Sequence, residues 1–425
     1  MNWQKIRKDL LLAGTSQFIY KVIGYFIITI LTRYLAKDEM GEFFFAASLA
    51  TFFSLVTEAG TSRYLVREVA SKPKEALRYF SEVISLRLPL SALYIFIING
   101  FTLLFKPDIA EVVLLTSIYV LLEQFYFSFG SLFMGLKKIK YNFIAGVSTR
   151  ILLVGFIVLA VKLEGSLTLI IICYLFANAL LIVVSFLIVW SKIGLPKLIW
   201  QIDPLKKILK NSFPFFVLTL LSLIHFKIDS VMLGFMKSYS LVATYEAAYK
   251  LLEASVFLIR PADMIFFPLF TEMVSRKNWP EIQKIFGKML KVSCFLGSFI
   301  ALVVIIFAGS IIPAVFGSKY HDSILILQVL FLYVPIRYAG LVIATLANSI
   351  YLEKKLIKIT LISAIINICL NLRVIPPWGA LGAAIATLVS GAAATIWSTA
   401  LVFRKLGVEQ SGDSLNEMRH RIEAN

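Results

Sequence analysis

Histidine and cysteine are scarce, with three of each in 425 residues. Cys173, Cys294 and Cys369 all fall within apolar runs, at no metal-binding or redox spacing, so they read as small packing residues. Charge is scarce as well, at 16% of residues against about 25% in soluble domains. Acidic charge is the scarcer sign: 25 Asp and Glu stand against 42 Lys and Arg. No Gly-x-x-x-x-Gly-Lys-Ser/Thr loop occurs, so nothing points to ATP bound on this chain. No catalytic triad, exposed carboxylate pair or metal-ligand cluster is evident, and no long extramembrane loop could hold one. These absences argue against a membrane glycosyltransferase or polymerase, and the chain reads as a non-enzyme without metal or cofactor.

What is abundant is apolar sequence, at 59% of residues, more than a soluble core absorbs. The expected class is an all-α polytopic membrane protein. Stretches long enough to cross roughly 30 Å of hydrocarbon lie at about 10–35, 42–66, 81–105, 109–134, 141–162, 166–190, 211–236, 241–270, 289–312, 323–350, 356–376 and 379–403. That makes twelve transmembrane helices, the first retained as a span with no cleavage site following it. Lys and Arg in the connections fall 27 on one side and seven on the other. The bias places both termini in the cytoplasm of a plasma-membrane protein. It also accounts for the net charge of +17 without nucleic acid.

The longest connection, 191–210, is basic and carries Trp200, Leu195 and Leu198 beside five lysines, which suits a membrane interface. It divides the chain into six-helix lobes at 1–205 and 206–405, with a cytoplasmic tail at 406–425. A shift of 202 residues lays Lys8 on Lys210, Glu58 on Arg260, and Phe43–Ala47 on Tyr245–Tyr249. Two lobes of the same orientation, related as parallel repeats, are the expectation, with substrate bound between them.

Eight bases lie within the spans: Lys21, Arg63, Arg87, Arg150, Lys227, Lys250, Arg260 and Arg337. Each costs roughly 2.5–3.5 kcal/mol at a helix centre unless hydrated or paired. Glu246, Lys250 and Glu253 share one helical stripe, and Arg260 stands three residues before Asp263, so these five form a candidate buried ion network. Lys21, Arg87, Arg150 and Arg337 have no acid within a helical turn. They are either cavity cations or partners of acids on other helices, Glu58 and Glu123 being available. Arg63 is near the end of its span and could snorkel. His225 and Asp229 share a face four residues apart, either as an ion-coupling pair or as a structural hydrogen bond, with Lys227 pointing elsewhere. Asn367 and Asn371, also four apart, read as polar helix packing, with sugar binding as the other reading. Pro376-Pro377 marks an expected turn at the outer face.

The segments "YLAKDEMGEFFFAAS" (34–48), "EAGTSRYLVREVA" (58–70), "NSFPFFVLTLLSLIHFKIDSVMLG" (211–234), "YEAAYKL" (245–251) and "NICLNLRVIPPWGALGAAIAT" (367–387) resemble the Wzx-type polysaccharide-biosynthesis flippases. That family's superfamily also holds lipid II flippases and multidrug and toxin extruders. Arg373 and Glu246 depart from its usual pattern. The resemblance implies two six-helix lobes around a central cavity. It also implies translocation of a polyprenyl-diphosphate-linked oligosaccharide, such as an O-antigen unit, across the membrane. A diphosphate needs cations, arginine as a planar fork and lysine as a point charge. Lys21, Arg87, Arg150, Lys227 and Arg337 are the expected diphosphate ligands. Membrane lipid, H⁺ or Na⁺, and glycan polymerase or glycosyltransferase partners are expected with them. An ion-coupled drug or metabolite exporter of the same superfamily is the alternative. The excess of bases speaks against a cationic cargo.

Overall fold

The structure, a computed structural model, describes the backbone of residues 3–423 and the side chains of 18–407 other than 202, 260–262, 264 and 265. It is helical throughout, with no strand among the described residues. The helices are α1 (Trp3–Tyr34), α2 (Lys37–Phe53), α3 (Leu55–Glu58), α4 (Thr61–Ser71), α5 (Ala76–Phe105), α6 (Ala110–Gly135), α7 (Ile139–Lys162), α8 (Leu167–Lys192), α9 (Ile202–Met236), α10 (Tyr239–Ser275), α11 (Trp279–Phe316), α12 (Ser323–Leu332), α13 (Val334–Ser349) and α14 (Glu353–Glu423).

Lipid offers no partner to a bare N–H or C=O, so a spanning segment must satisfy its own backbone, and helices do. Among the described residues, nine helical stretches are long and apolar enough to cross a membrane. They cover ten of the expected spans, the last two joined in one stretch. The spans expected at 10–35 and 241–270 fall on α1 and α10, whose side chains are described only in part. The chain is a multi-pass membrane protein.

Local chemistry sets several helix ends. Ser166 caps α8, its Oγ accepting from the Leu169 N–H at 3.4 Å. Asn278 caps α11 through the Glu281 N–H at 3.4 Å, and Pro280 follows in the first turn. Two features depart from the sequence reading. The span expected at 42–66 is broken, with Ala59 and Gly60 both left-handed between α3 and α4. And α14 runs straight through Pro376 and Pro377 before breaking at Gly379, where φ is 53° and ψ −128°. Proline's fixed φ is compatible with helix, whereas that combination is open essentially to glycine alone. The chain doubles back so sharply there that Gly382 packs against the Val374 carbonyl, with no room for a side chain.

Two compact units form: Met1–Gly234 with Ser238–Ala243, and Phe235–Lys237 with Thr244–Asn425. In the first, α6 is central and packs against α2, α4, α5 and α8, while α7 packs between α1 and α8. Its core joins Leu65, Val69, Phe80, Val83, Leu132 and Phe133 to Ile208 of α9. By packing, α9 as far as Gly234 goes with the first unit. In the second unit α13 packs against α11 and α14, around Phe270, Ile282, Phe286, Ile343 and Leu346. The 193–201 linker is not helical. It lies along α5, where Ser81 Oγ accepts from the Lys197 N–H at 3.1 Å and Ser85 Oγ from the Ile199 N–H at 2.7 Å. Trp190, Leu195, Leu198 and Trp200 remain exposed.

Candidate functional site

The break between α3 and α4 organises one charged cluster of the first unit. A helix start leaves backbone N–H groups without partners. Glu58 supplies them: its carboxylate accepts from the Gly60 N–H at 2.7 Å and the Ser62 N–H at 3.0 Å. Its negative charge also suits the positive end of α4. Thr61 donates back to the Glu58 carbonyl at 2.6 Å. Gly60 lies against the backbone of α9 at Ser212 and Phe216, so the left-handed turn must also be bare of a side chain.

Arg87 of α5 completes this cluster. Its side chain is 0% exposed. Nε donates to Thr61 Oγ1 at 2.9 Å, Nη1 to the Gln124 carbonyl at 2.6 Å, and Nη2 to Ser62 Oγ at 2.9 Å. Glu58 Oε1 lies 3.7 Å from Nη2. The arginine expected to meet a diphosphate is thus enclosed, and each of its nitrogens is engaged with protein. Of the two readings that the sequence left open for Arg87, the geometry matches the cross-helix partnership.

A second cluster joins α1, α6 and α7. Arg150 Nη2 lies 3.3 Å from Glu123 Oε1 and also donates to the Tyr20 hydroxyl. The Tyr20 hydroxyl in turn lies 3.3 Å from the same Glu123 oxygen. The guanidinium stands over the Tyr20 ring, 4.2 Å from its centroid, a cation–π contact. Unlike Arg87, this cluster reaches open space: Arg150 is 13% and Glu123 21% exposed. Tyr119, one turn before Glu123 on α6, meets Tyr174 of α8 with ring centroids 5.3 Å apart and the planes tilted by 45°.

The other expected residues are distributed as follows. Lys21, His225, Lys227 and Arg337 are half-buried, and Asp229 is buried. On α10, Lys250 Nζ lies 3.0 Å from Glu253 and 3.7 Å from Glu246, the latter buried. Arg260, the expected partner of Asp263, has a side chain outside the described residues; Asp263 accepts from Thr345 of α13 at 2.5 Å. Asn371 donates to Asn367 at 3.1 Å, and Asn367 to Ser390 at 3.3 Å. Ser363 donates to the Ser390 carbonyl at 2.8 Å, so a polar seam ties the two arms of α14.

At the start of α10, Tyr239 donates to Asp108 of the α5–α6 connection at 2.8 Å, and Lys106 Nζ stands 5.1 Å from the Tyr239 ring centroid. Burial, then the bond to Asp108, pushes the Tyr239 phenol above its ordinary range. Among the described residues no group of three His, Cys, Asp or Glu could hold a metal ion.

Sequence reasoning did not anticipate Tyr20, Thr61, Ser62 or the helix break. A signal for the break was present in Glu58-Ala-Gly-Thr-Ser62, an acid followed by glycine and two capping hydroxyls.

Known proteins of similar sequence or structure bear on this arrangement. The chain is 30% identical over 167 residues to the probable flippase AglR of Haloferax volcanii, covering 38% of this chain and 35% of that protein. It is 23% identical over 168 residues to the probable low-salt glycan biosynthesis flippase Agl15 of the same organism, 40% of this chain and 36% of the other. These matches span little more than a third of the curated relatives' length. In fold the chain is similar to the lipid II flippase MurJ in an inward closed conformation, with TM-score 0.75 and 19% identity over 92% of this chain and 87% of that one. It is equally similar to an inward-facing multidrug resistance MATE family transporter, with TM-score 0.76 and 13% identity over 93% and 96%. Residues 6–274, more than half of the chain, match the polysaccharide biosynthesis protein family, and to that family the chain belongs.

Proposed function

We propose that this chain is a flippase that moves a polyprenyl-diphosphate-linked oligosaccharide across the plasma membrane by alternating access. The observation that carries the reading is the sign of the intramembrane charge. More than two residues from a span end, the spans of the first unit hold Lys21, Arg63, Arg87, Arg150 and Lys227 against Glu58, Glu123 and Asp229, while Arg33, Lys162, Glu42, Glu82 and Glu111 stand at the ends. A surplus of bases in an apolar setting fits an anionic head group and disfavours a cationic drug. The family and the relatives named for glycan biosynthesis support the same class of cargo. No nucleotide loop is present, so an ion gradient is the proposed drive, with His225 and Asp229 as the candidate coupling pair.

Within this reading the five expected phosphate ligands divide. Arg87 is enclosed beside Glu58, and Arg150 stands against Glu123. Lys21, Lys227 and Arg337, each half-buried, are the proposed phosphate-meeting groups. The lipid tail stays in the bilayer, and glycosyltransferases or a glycan polymerase act before and after the flip. Both termini lie in the cytoplasm, in line with the lysine and arginine bias of the connections.

The test is translocation in proteoliposomes of a lipid-diphosphate oligosaccharide extracted from the source cells. Lys21→Gln, Lys227→Gln and Arg337→Gln should each slow transport, by about tenfold for the loss of one charge-assisted contact of roughly 1.5 kcal/mol. Unchanged rates in all three would overturn the assignment. Transport of a cationic drug with no movement of the glycolipid would establish the exporter instead.

A further inference from the structure

Among the described residues of the first unit, two arginine–glutamate pairs join separate α-helices, and they differ in one respect that matters for a ligand. In the Arg87–Glu58 pair the guanidinium is fully enclosed and only the carboxylate, 12% exposed, reaches the surface. In the Arg150–Glu123 pair both side chains are partly exposed, at 13% and 21%. An exposed but charge-compensated pair is a poor phosphate site, because the carboxylate that steadies the arginine also repels the anion. It does suit a neutral polyol. A planar guanidinium offers paired donors and a carboxylate offers paired acceptors, side by side, without requiring net charge from the ligand.

The surroundings are of the same kind. Tyr20 joins the pair through its hydroxyl and lies under the guanidinium through its ring. Tyr119 follows the helix spacing to stand one turn from Glu123, and its ring meets that of Tyr174. Phenol rings present flat apolar faces with a polar rim, which match the C–H faces and hydroxyl edges of a sugar ring.

We propose that Tyr20, Glu123 and Arg150, flanked by Tyr119 and Tyr174, form a sugar-reading subsite of the first unit. It recognises hydroxyls of the glycan rather than the diphosphate. This rests on the flippase reading and deepens it, for it separates the groups that meet the sugar from the lysines that meet the phosphates. Sites built to bond a hydroxyl discriminate strongly against ligands that lack it, since their own polar groups are left unpaired. The cluster therefore selects for cargo that already carries its sugar and leaves bare lipid diphosphate behind.

The experiment measures binding of two probes to the full chain in nanodiscs. One is the lipid-diphosphate oligosaccharide extracted from the source cells; the other is undecaprenyl diphosphate without sugar. Glu123→Gln should weaken the glycolipid at least about tenfold and leave the bare lipid within about twofold. Tyr20→Phe keeps the ring beneath the guanidinium and removes only the hydroxyl, so it carries the same expectation should Glu123→Gln fold poorly. Lys21→Gln, by contrast, should weaken both probes. Equal losses on both probes in the two cluster variants, or no loss on either, would overturn the subsite while leaving the flippase reading standing. A wild-type protein that binds neither probe removes both.

Discussion

Arg87 and Arg150 carry the same group into similarly apolar surroundings, and the fold uses them differently. Removing one partner of an enclosed ion pair leaves the other charge uncompensated, which costs about 3–5 kcal/mol. Arg87→Ala should lower stability by that order, read as a fall in the thermal unfolding midpoint in detergent. Arg87→Lys should recover little, because a point charge cannot reach Thr61, Ser62 and the Gln124 carbonyl at once. An Arg87→Lys variant as stable as wild type would show that charge alone, not the fork, matters there. Both acids in question, Glu58 and Glu123, stand out in the sequence as isolated intramembrane carboxylates. Which arginine each one meets does not, because that depends on which helices are neighbours, and helix periodicity carries no information on the neighbour.

Among the elements, the two broken helices show where sequence reading stops. Hydropathy reports how long a segment stays apolar, and it placed α6, α7 and α8 to within two residues at each end, whereas α9 and α11 begin nine and ten residues before their expected spans. It is silent on a left-handed pair inside an apolar run, so 42–66 read as one rod although Gly60 already occupied its middle. In α14 the prolines drew the turn two residues too early. Gly379 is the residue that must be special, and Gly379→Ala should destabilise by about 1–3 kcal/mol for its φ and ψ alone. Pro377→Ala at the neighbouring helical position should cost less. The comparison is read from unfolding midpoints, and equal effects would mean that the hairpin is held by its Asn367–Ser390 seam and not by its turn. The 202-residue repeat also has a limit here: the positions matching Ala59 and Gly60 fall inside α10, which is continuous.

At the scale of the whole molecule, the class of the protein was legible from composition, and the charge of the connections makes the orientation a testable expectation. A reporter fused after Lys319 should read as outside, and one fused after Lys138 as inside. A cytoplasmic reading at Lys319 would mean that a crossing has been miscounted. Beyond the basic linker at 191–210, α9 packs with the first unit through Ile208 and through Ser212, which touches Gly60. A linker's composition shows where the chain is exposed, whereas packing is decided by small residues and close approach, and these leave a faint mark in sequence.

The cluster at the α3–α4 break has a consequence for how the protein is made. Arg87 would face hydrocarbon if α5 entered the bilayer before its partners, and Glu58 would do so if α2 and α3 entered alone. Only together do the two segments present lipid with neither charge. Entry of residues 37–105 as one hairpin would bring the two charges together before either met hydrocarbon alone.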